Sequence, residues 1–271
     1  MNGGTIGGMF WHGVTRMGEG PILLPAALLA AWLLALQRGN RRTAGIWLVS
    51  LGLAVLVTLA SKFAFLGWGL GWAALNFSGV SGHAMMAAAV YPVLFAALIP
   101  TPSALGRGCT AGAGIALASL VGISRVVVGA HSWSEVIAGL AMGGVVTAVV
   151  LSGMALATLR SSPRMSFTRL LAAPLALGLW LTMMPAFGPS LNSHSMITEW
   201  SLRLSGRSAP YTRGEMLREL RRGGKAASRE PHGARAFAKA RPSSALGYHT
   251  PPFIHASGVF VWVLFPPLSL G

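Results

Sequence analysis

Residues 46–66 read IWLVSLGLAVLVTLASKFAFL, an apolar run broken by a single charge, Lys62, close to its far end. A helix crossing the hydrocarbon core of a bilayer needs about 20 consecutive apolar residues, and a soluble domain has little use for so long a run. The stretch therefore predicts a membrane-spanning helix. Five further runs approach or exceed this length, at 21–37, 83–100, 110–129, 133–157 and 170–187. The fold class that follows is all-α, a polytopic membrane helix bundle of about six spans. Composition agrees, with 53% hydrophobic and 10% charged residues in a chain of 271 and a mean hydropathy of +0.61, well outside the range of soluble domains.

The run at 21–37 is read as a span and not as a cleavable signal, because Arg38, Arg41 and Arg42 follow it directly where a cleavage site would stand. Cys109 is the single cysteine, so no intramolecular disulfide forms, and it is expected to be a small buried hydrophobe. Residues 1–200 read as the bundle. Residues 201–271 hold eleven of the 21 Lys and Arg residues and read as a basic tail, loose or partly helical, able to meet anionic lipid headgroups. The closing FIHASGVFVWVLFPPLSL is apolar, but it is short and carries a proline pair, so it is not counted as a span. No nucleic-acid-binding motif accompanies the positive charge.

Charge in the short loops orients the bundle. The connections after the first, third and fifth runs carry Arg38, Arg41 and Arg42, then Arg107, then Arg160, Arg164 and Arg169, which marks them as cytoplasmic by the positive-inside rule. The loops 62–83 and 124–135 then share the opposite, outer face of a plasma or inner membrane. The basic tail opposes this orientation, but long segments weigh less in the rule.

Those two outer loops gather Lys62, Ser81, Gly82, His83, Ser124, Arg125, His131 and Glu135. An arginine at the end of a span is costly without a partner or an anionic ligand. Each residue also has an ordinary structural reading. Lys62 could snorkel to the interface, His83 could be an interfacial histidine, Ser81-Gly82 a helix cap, and His131 with Glu135, four apart on one helix face, a hydrogen-bonded pair. Their convergence on one rim is what favours a site. His83, His131 and Glu135 are also metal-ligating types, but a neighbouring Arg125 would repel a cation and suits phosphate instead.

Ser81-Gly82-His83, followed by Ser124-Arg125, five residues, His131, three residues and Glu135, resembles the second and third signature motifs of the type 2 phosphatidic acid phosphatases, the PAP2 or lipid phosphate phosphatase family. The resemblance covers roughly residues 60–140. It departs in three places: Val80 stands where Pro is usual, Glu135 where Asp is usual, and Lys62 is followed at the first motif's spacing by Gly69-Leu70 instead of Arg-Pro. The resemblance implies a phosphatase acting on a lipid phosphate or pyrophosphate without metal or other cofactor. His131 would be the nucleophile oriented by Glu135, and His83 the proton donor to the leaving oxygen. Arg125 and Lys62, with Ser81, Gly82 and Ser124, would bind the phosphate. Two other readings stay open at this point: a phosphotransferase using the same phosphohistidine, and a non-catalytic membrane protein that has lost the first-motif arginine.

Overall fold

A computed structural model describes residues 6–37, 40–99, 103–160 and 193–229, together with Leu175, Leu179, Trp180 and Met183. Eight α-helices are named among them: α1 (Ile6–Arg16), α2 (Gly20–Leu36), α3 (Arg41–Trp68), α4 (Gly82–Leu98), α5 (Ala104–Val127), α6 (Trp133–Arg160), α7 (Ser193–Ser205) and α8 (Arg213–Arg229). The molecule is an all-α membrane helix bundle. By length and apolarity α3, α5 and α6 can each cross a membrane, and α1 with α2, bent by 46° at residues 17–19, add a fourth crossing if the pair is one span. α4 is apolar but only 17 residues long. The sequence pattern predicted about six spans; the run at 170–187 falls almost wholly outside the described residues, as does the apolar stretch 253–270.

α4 is the axis of the bundle. Met85, Ala89, Val90, Tyr91, Val93 and Leu94 are all buried, with α2, α3, α5 and α6 packed around them. Close approach requires small residues, and α6 supplies Gly139 and Gly143 in a G-x-x-x-G pair. A Cβ on Gly143 would collide with the Met85 carbonyl oxygen, and one on Gly114 of α5 would meet the Pro92 backbone at 2.5 Å. Pro92 lacks the N–H that would bond the Ala88 carbonyl. Thr147 Oγ1 of α6 donates to that carbonyl at 2.6 Å, and Trp47 Nε1 of α3 donates to the next one, Ala89 O, at 3.2 Å.

Large apolar side chains cover the outside instead. Leu24, Leu28 and Trp32 of α2, Val49, Leu53 and Leu56 of α3, and Ile137 and Val145 of α6 are exposed, the arrangement expected where the surrounding solvent is lipid. Cys109 is exposed on α5, contrary to the burial expected for a small hydrophobe, because it lies on the outward side of that helix.

α3 outruns α4. Gly82 packs beside Thr58, ten residues before the end of α3 at Trp68, so α3 continues about 15 Å past the start of α4. The extra length is occupied by later chain. Gly67 meets Ser205 of α7, the Tyr211 ring lies against Gly69 and edge-on to Phe65, and Met216 of α8 is buried beside Gly71. The compact unit accordingly runs through Gly224, beyond the boundary near residue 200 that composition suggested, because Tyr211 and Met216 find apolar seats on α3. Residues 230–271 lie outside the described residues.

Candidate active site

The site at the start of α4 is built from four helix ends. α3 contributes Lys62. Beside it, Ser61 Oγ accepts the Val80 N–H at 3.0 Å, which fastens residues 78–80 to α3. Gly79 lies at φ +136° in this connection, a conformation other residues rarely adopt, and it packs in van der Waals contact with Ser61 and Lys62. Ser81 then occupies the N-cap position of α4, with its backbone N–H donating to the Glu135 carbonyl at 3.1 Å, so the starts of α4 and α6 are tied together. Its hydroxyl makes no capping bond. Ser81 Oγ is buried without a hydrogen-bond partner, which removes simple capping as its role.

At the end of α5, Ser124 is fully buried; its hydroxyl donates to Val121 O at 2.6 Å and accepts from Thr15 Oγ1 of α1 at 2.8 Å. Ser124 therefore locks α1 to α5. The next residue, Arg125, points its charge into the same region, and its Nε is buried without a partner. The chain then turns at Gly129, φ +73°, with the N–H groups of Ala130 and His131 both donating to the Arg125 carbonyl, at 3.0 and 3.1 Å. This fold-back sets His131 just before α6.

His131 and Glu135 form the expected pair, Nδ1 to Oε2 at 2.7 Å. The Glu135 side chain is fully buried and accepts several further bonds: from Ser132 N at 3.1 Å, from Ser78 N at 2.7 Å, and from Ser78 Oγ. Arg213 Nη2 lies 2.7 Å from both carboxylate oxygens and 3.2 Å from Ser78 Oγ. With Nδ1–H bonded to the carboxylate, the lone pair of His131 is on Nε2. Burial holds the His131 imidazole below its ordinary value, with the bond to Glu135 opposing and the charges of Lys62 and Arg125 reinforcing that depression.

Lys62, His83, Arg125 and His131 are near enough to act on one another electrostatically, with Glu135 bonded to His131 and Gly82 at the first position of α4, whereas the Ser124 hydroxyl, expected on phosphate, is committed to Val121 and Thr15. Four contributors had no place in the sequence argument. Ser78 and Arg213 hold Glu135. Thr15 braces Ser124, and Glu19, in the break between α1 and α2, lies close enough to Arg125 for their charges to interact. The same break packs on the site: a Cβ on Gly18 would fall 2.9 Å from the His83 Cβ. Ser78 sits within the SGVSGH stretch and was within reach of a local reading; Arg213, 78 residues beyond Glu135, was not.

The first-motif departure also acquires a geometry. Gly69 caps α3 at φ +72°, with Tyr211 against it, so an arginine at this position would be strained and obstructed. Among the described residues, no three His, Cys, Asp or Glu side chains are grouped to hold a metal ion.

Comparison with known proteins places the same region at the centre. The PAP2 superfamily model matches residues 24–159. A Klebsiella pneumoniae protein described as an uncharacterized 22.5 kDa protein in cps region is 38% identical over 143 residues, which cover 53% of this chain and 68% of that relative. No solved structure matches. With the family match extending over half the chain and enclosing the whole rim from Lys62 to Glu135, the chain belongs to the PAP2 superfamily.

Proposed function

We propose that this membrane protein is a phosphatase that hydrolyses a lipid phosphate or pyrophosphate through a phosphohistidine. Family membership supports phosphatase-type activity. The observation that carries the finer reading is the unfilled donor set beside the histidine pair: Arg125 Nε and Ser81 Oγ are buried without partners, next to a histidine whose Nδ1 is committed to Glu135. Buried donors of this kind are costly unless a ligand completes them, and an anion would.

In the first step His131 Nε2 attacks phosphorus while the bond to the leaving oxygen breaks, and protonated His83 delivers its proton to that oxygen. Arg125, Lys62 and the N–H groups at the start of α4 offset the charge on the non-bridging oxygens. In the second step neutral His83 takes a proton from water, whose oxygen attacks phosphorus as the P–N bond breaks. Phosphate leaves and His131 is regenerated. Glu135 orients the imidazole and stabilises its positive charge throughout.

The rim favours a bilayer-borne substrate. Trp68, Leu70, Trp72, Leu75 and Trp133, in the loops and helix ends that carry the site, are exposed, an apolar and aromatic set suited to the membrane interface. The outer-face orientation belongs to the same proposal and rests on the arginines of the opposite loops.

The test offers the purified chain a panel of lipid phosphates and pyrophosphates without added metal, with acid quenching during turnover. Wild type should release phosphate and retain acid-labile phosphate on the protein; His131→Ala should do neither. Full activity of His131→Ala, or loss of activity to a chelator that added metal reverses, would overturn the mechanism. Delivery of the phosphoryl group to an added lipid or sugar acceptor in preference to water would identify a phosphotransferase.

A further inference from the structure

The chain has only six acidic residues, and Glu135, the most buried of those among the described residues, is paired with an arginine that arrives from a distant segment. We propose that Arg213 is a positioning residue of this active site: standing first in α8, it is set by the turn that precedes that helix to lock the Glu135 carboxylate in the orientation that holds His131. The proposal rests on the phosphohistidine reading above.

The delivery of Arg213 is fixed at both ends. Upstream, Tyr211 N donates to Leu66 O at 2.9 Å and the Tyr211 ring lies on Gly69. Downstream, Thr212 and Glu215 form a reciprocal capping box at the start of α8: Thr212 N and Oγ1 donate to Glu215 Oε2 at 2.7 and 2.8 Å, and Glu215 N donates to Thr212 Oγ1 at 3.3 Å. Met216 then buries its side chain beside Gly71. Arg213, between these anchors, reaches both oxygens of Glu135 through Nη2.

The need for such a lock follows from the residue at 135. Glutamate has one more rotatable bond than the aspartate usual in the motif, so its carboxylate is harder to hold in one place. Ser78, on Oε1, and Arg213, on both oxygens, supply the missing restraint. The place where the resemblance would put a phosphate-binding arginine is Gly69, and the segment that covers Gly69 brings an arginine to the carboxylate instead.

Arg213 also bears on the protonation of His131. The charged or titratable groups that face this histidine are Lys62 from α3, His83 from α4, Arg125 from α5 and Glu135 from α6, with Arg213 reaching it through Glu135. Removing Arg213 leaves the other four in place and takes away one positive charge. The imidazolium becomes easier to form, and the acid limb of kcat/KM moves to higher pH.

The experiment uses the full chain in lipid nanodiscs, as wild type, Arg213→Gln, Arg213→Met and Arg213→Lys. Thermal melting of each separates loss of fold from loss of turnover, and Met keeps the apolar stem should the amide disturb folding. Hydrolysis of whichever lipid phosphate wild type accepts is followed against pH, and the ring nitrogens of His131 are titrated by 15N NMR without substrate. Gln and Met should lower kcat by about tenfold or more, as losses of a residue supporting a catalytic ligand do, with KM little changed. Their acid limb and the His131 titration should both rise by about one unit, while Lys, which keeps the charge, should stay near wild type. A rise in KM with kcat and the acid limb unmoved would make Arg213 a phosphate ligand and overturn the proposal, and so would an unmoved His131 titration in folded Gln and Met variants. Absence of hydrolysis by wild type would defeat the phosphatase reading alone, because the NMR titration reports on Arg213 without turnover.

Discussion

Replacing Glu135 by Gln is the most demanding test of the proposed site. In wild type the carboxylate faces donors alone: His131 Nδ1 and Ser132 N on Oε2, Ser78 N and Oγ on Oε1, and Arg213 on both. A Gln amide has one acceptor oxygen, so either placement of its NH2 opposes a fixed backbone N–H, that of Ser132 or of Ser78. If the NH2 faces His131, it donates to Nδ1, and the ring proton shifts to Nε2, the nitrogen that must attack. Inverting the tautomer in a comparable histidine–carboxylate pair costs about 10⁴ in turnover, so a loss of about 10³ to 10⁴ is expected here. Stability should fall by only about 1–3 kcal/mol, because Arg213 is 31% exposed and water can replace part of what it loses. Glu135→Asp keeps the charge but shortens the reach by about 1.5 Å, so it cannot retain the bonds to His131 and to Arg213 together without backbone movement. Its turnover should fall between wild type and Gln. Phosphate release by the three purified proteins, with melting curves alongside, measures both effects. Equal turnover in all three would remove Glu135 from the mechanism and leave the His131 pair a structural contact.

Four further outcomes are expected. Because burial places the folded His131 value below the ordinary 6.5, the nucleophile stays neutral to lower pH, and the acid limb of kcat/KM for wild type should lie below pH 6.5. The same depression means that only the unfolded state takes up this proton just below pH 6.5, so His131 should reduce stability progressively from there down to its folded value, an effect that His131→Phe should remove from the melting profile. Cysteines at Ala74 and Ala130, both outward from the rim, in a Cys109→Ser background, should react with a membrane-impermeant thiol reagent on intact cells; reaction only after lysis would reverse the orientation. Gly143→Ala should lower the melting temperature, at a cost of about 1–3 kcal/mol, because its Cβ would press on Met85 O, whereas Gly144→Ala, with open space at its Cβ, should be neutral or stabilising. Equal melting of the two variants would show that the close approach of α6 to α4 is not needed.

Much of the bundle was legible because membrane spans are written in composition. The runs 21–37, 46–66, 83–100, 110–129 and 133–157 correspond to α2, α3, α4, α5 and α6, with ends displaced by a few residues where caps such as Gly69 and Ser103 decide the boundary. Apolarity alone could not show that α4 is the axis of the bundle, since lipid-facing and protein-facing surfaces are equally apolar. The clues lay in small residues, Gly139, Gly143 and Gly114, whose meaning depends on which helix they meet. α1 and the packed part of the basic segment were harder still. Residues 201–224 look soluble by charge, and what holds them is a few side chains, Tyr211 and Met216 chief among them, seated on the overhanging end of α3.

The site divides along the same physical line. His131 and Glu135 are four apart and Arg125 is six before His131, so helix and turn geometry carry sequence spacing directly into space, and the short window 121–135 could be read as a chemical unit. Arg213 obeys no such spacing. Yet the departures from the family pattern, which read separately as losses, meet in one place once the chain is folded. Gly69 makes room for Tyr211, Tyr211 anchors the segment that carries Arg213, and Arg213 closes on a carboxylate that glutamate, one methylene longer than aspartate, extends away from α6 toward Ser78. Under the proposed mechanism the positive charge absent from position 69 has not been restored to the phosphate, which is left to Arg125 and Lys62. It has moved behind the nucleophile, where it governs how firmly, and with how much retained basicity, Glu135 holds His131.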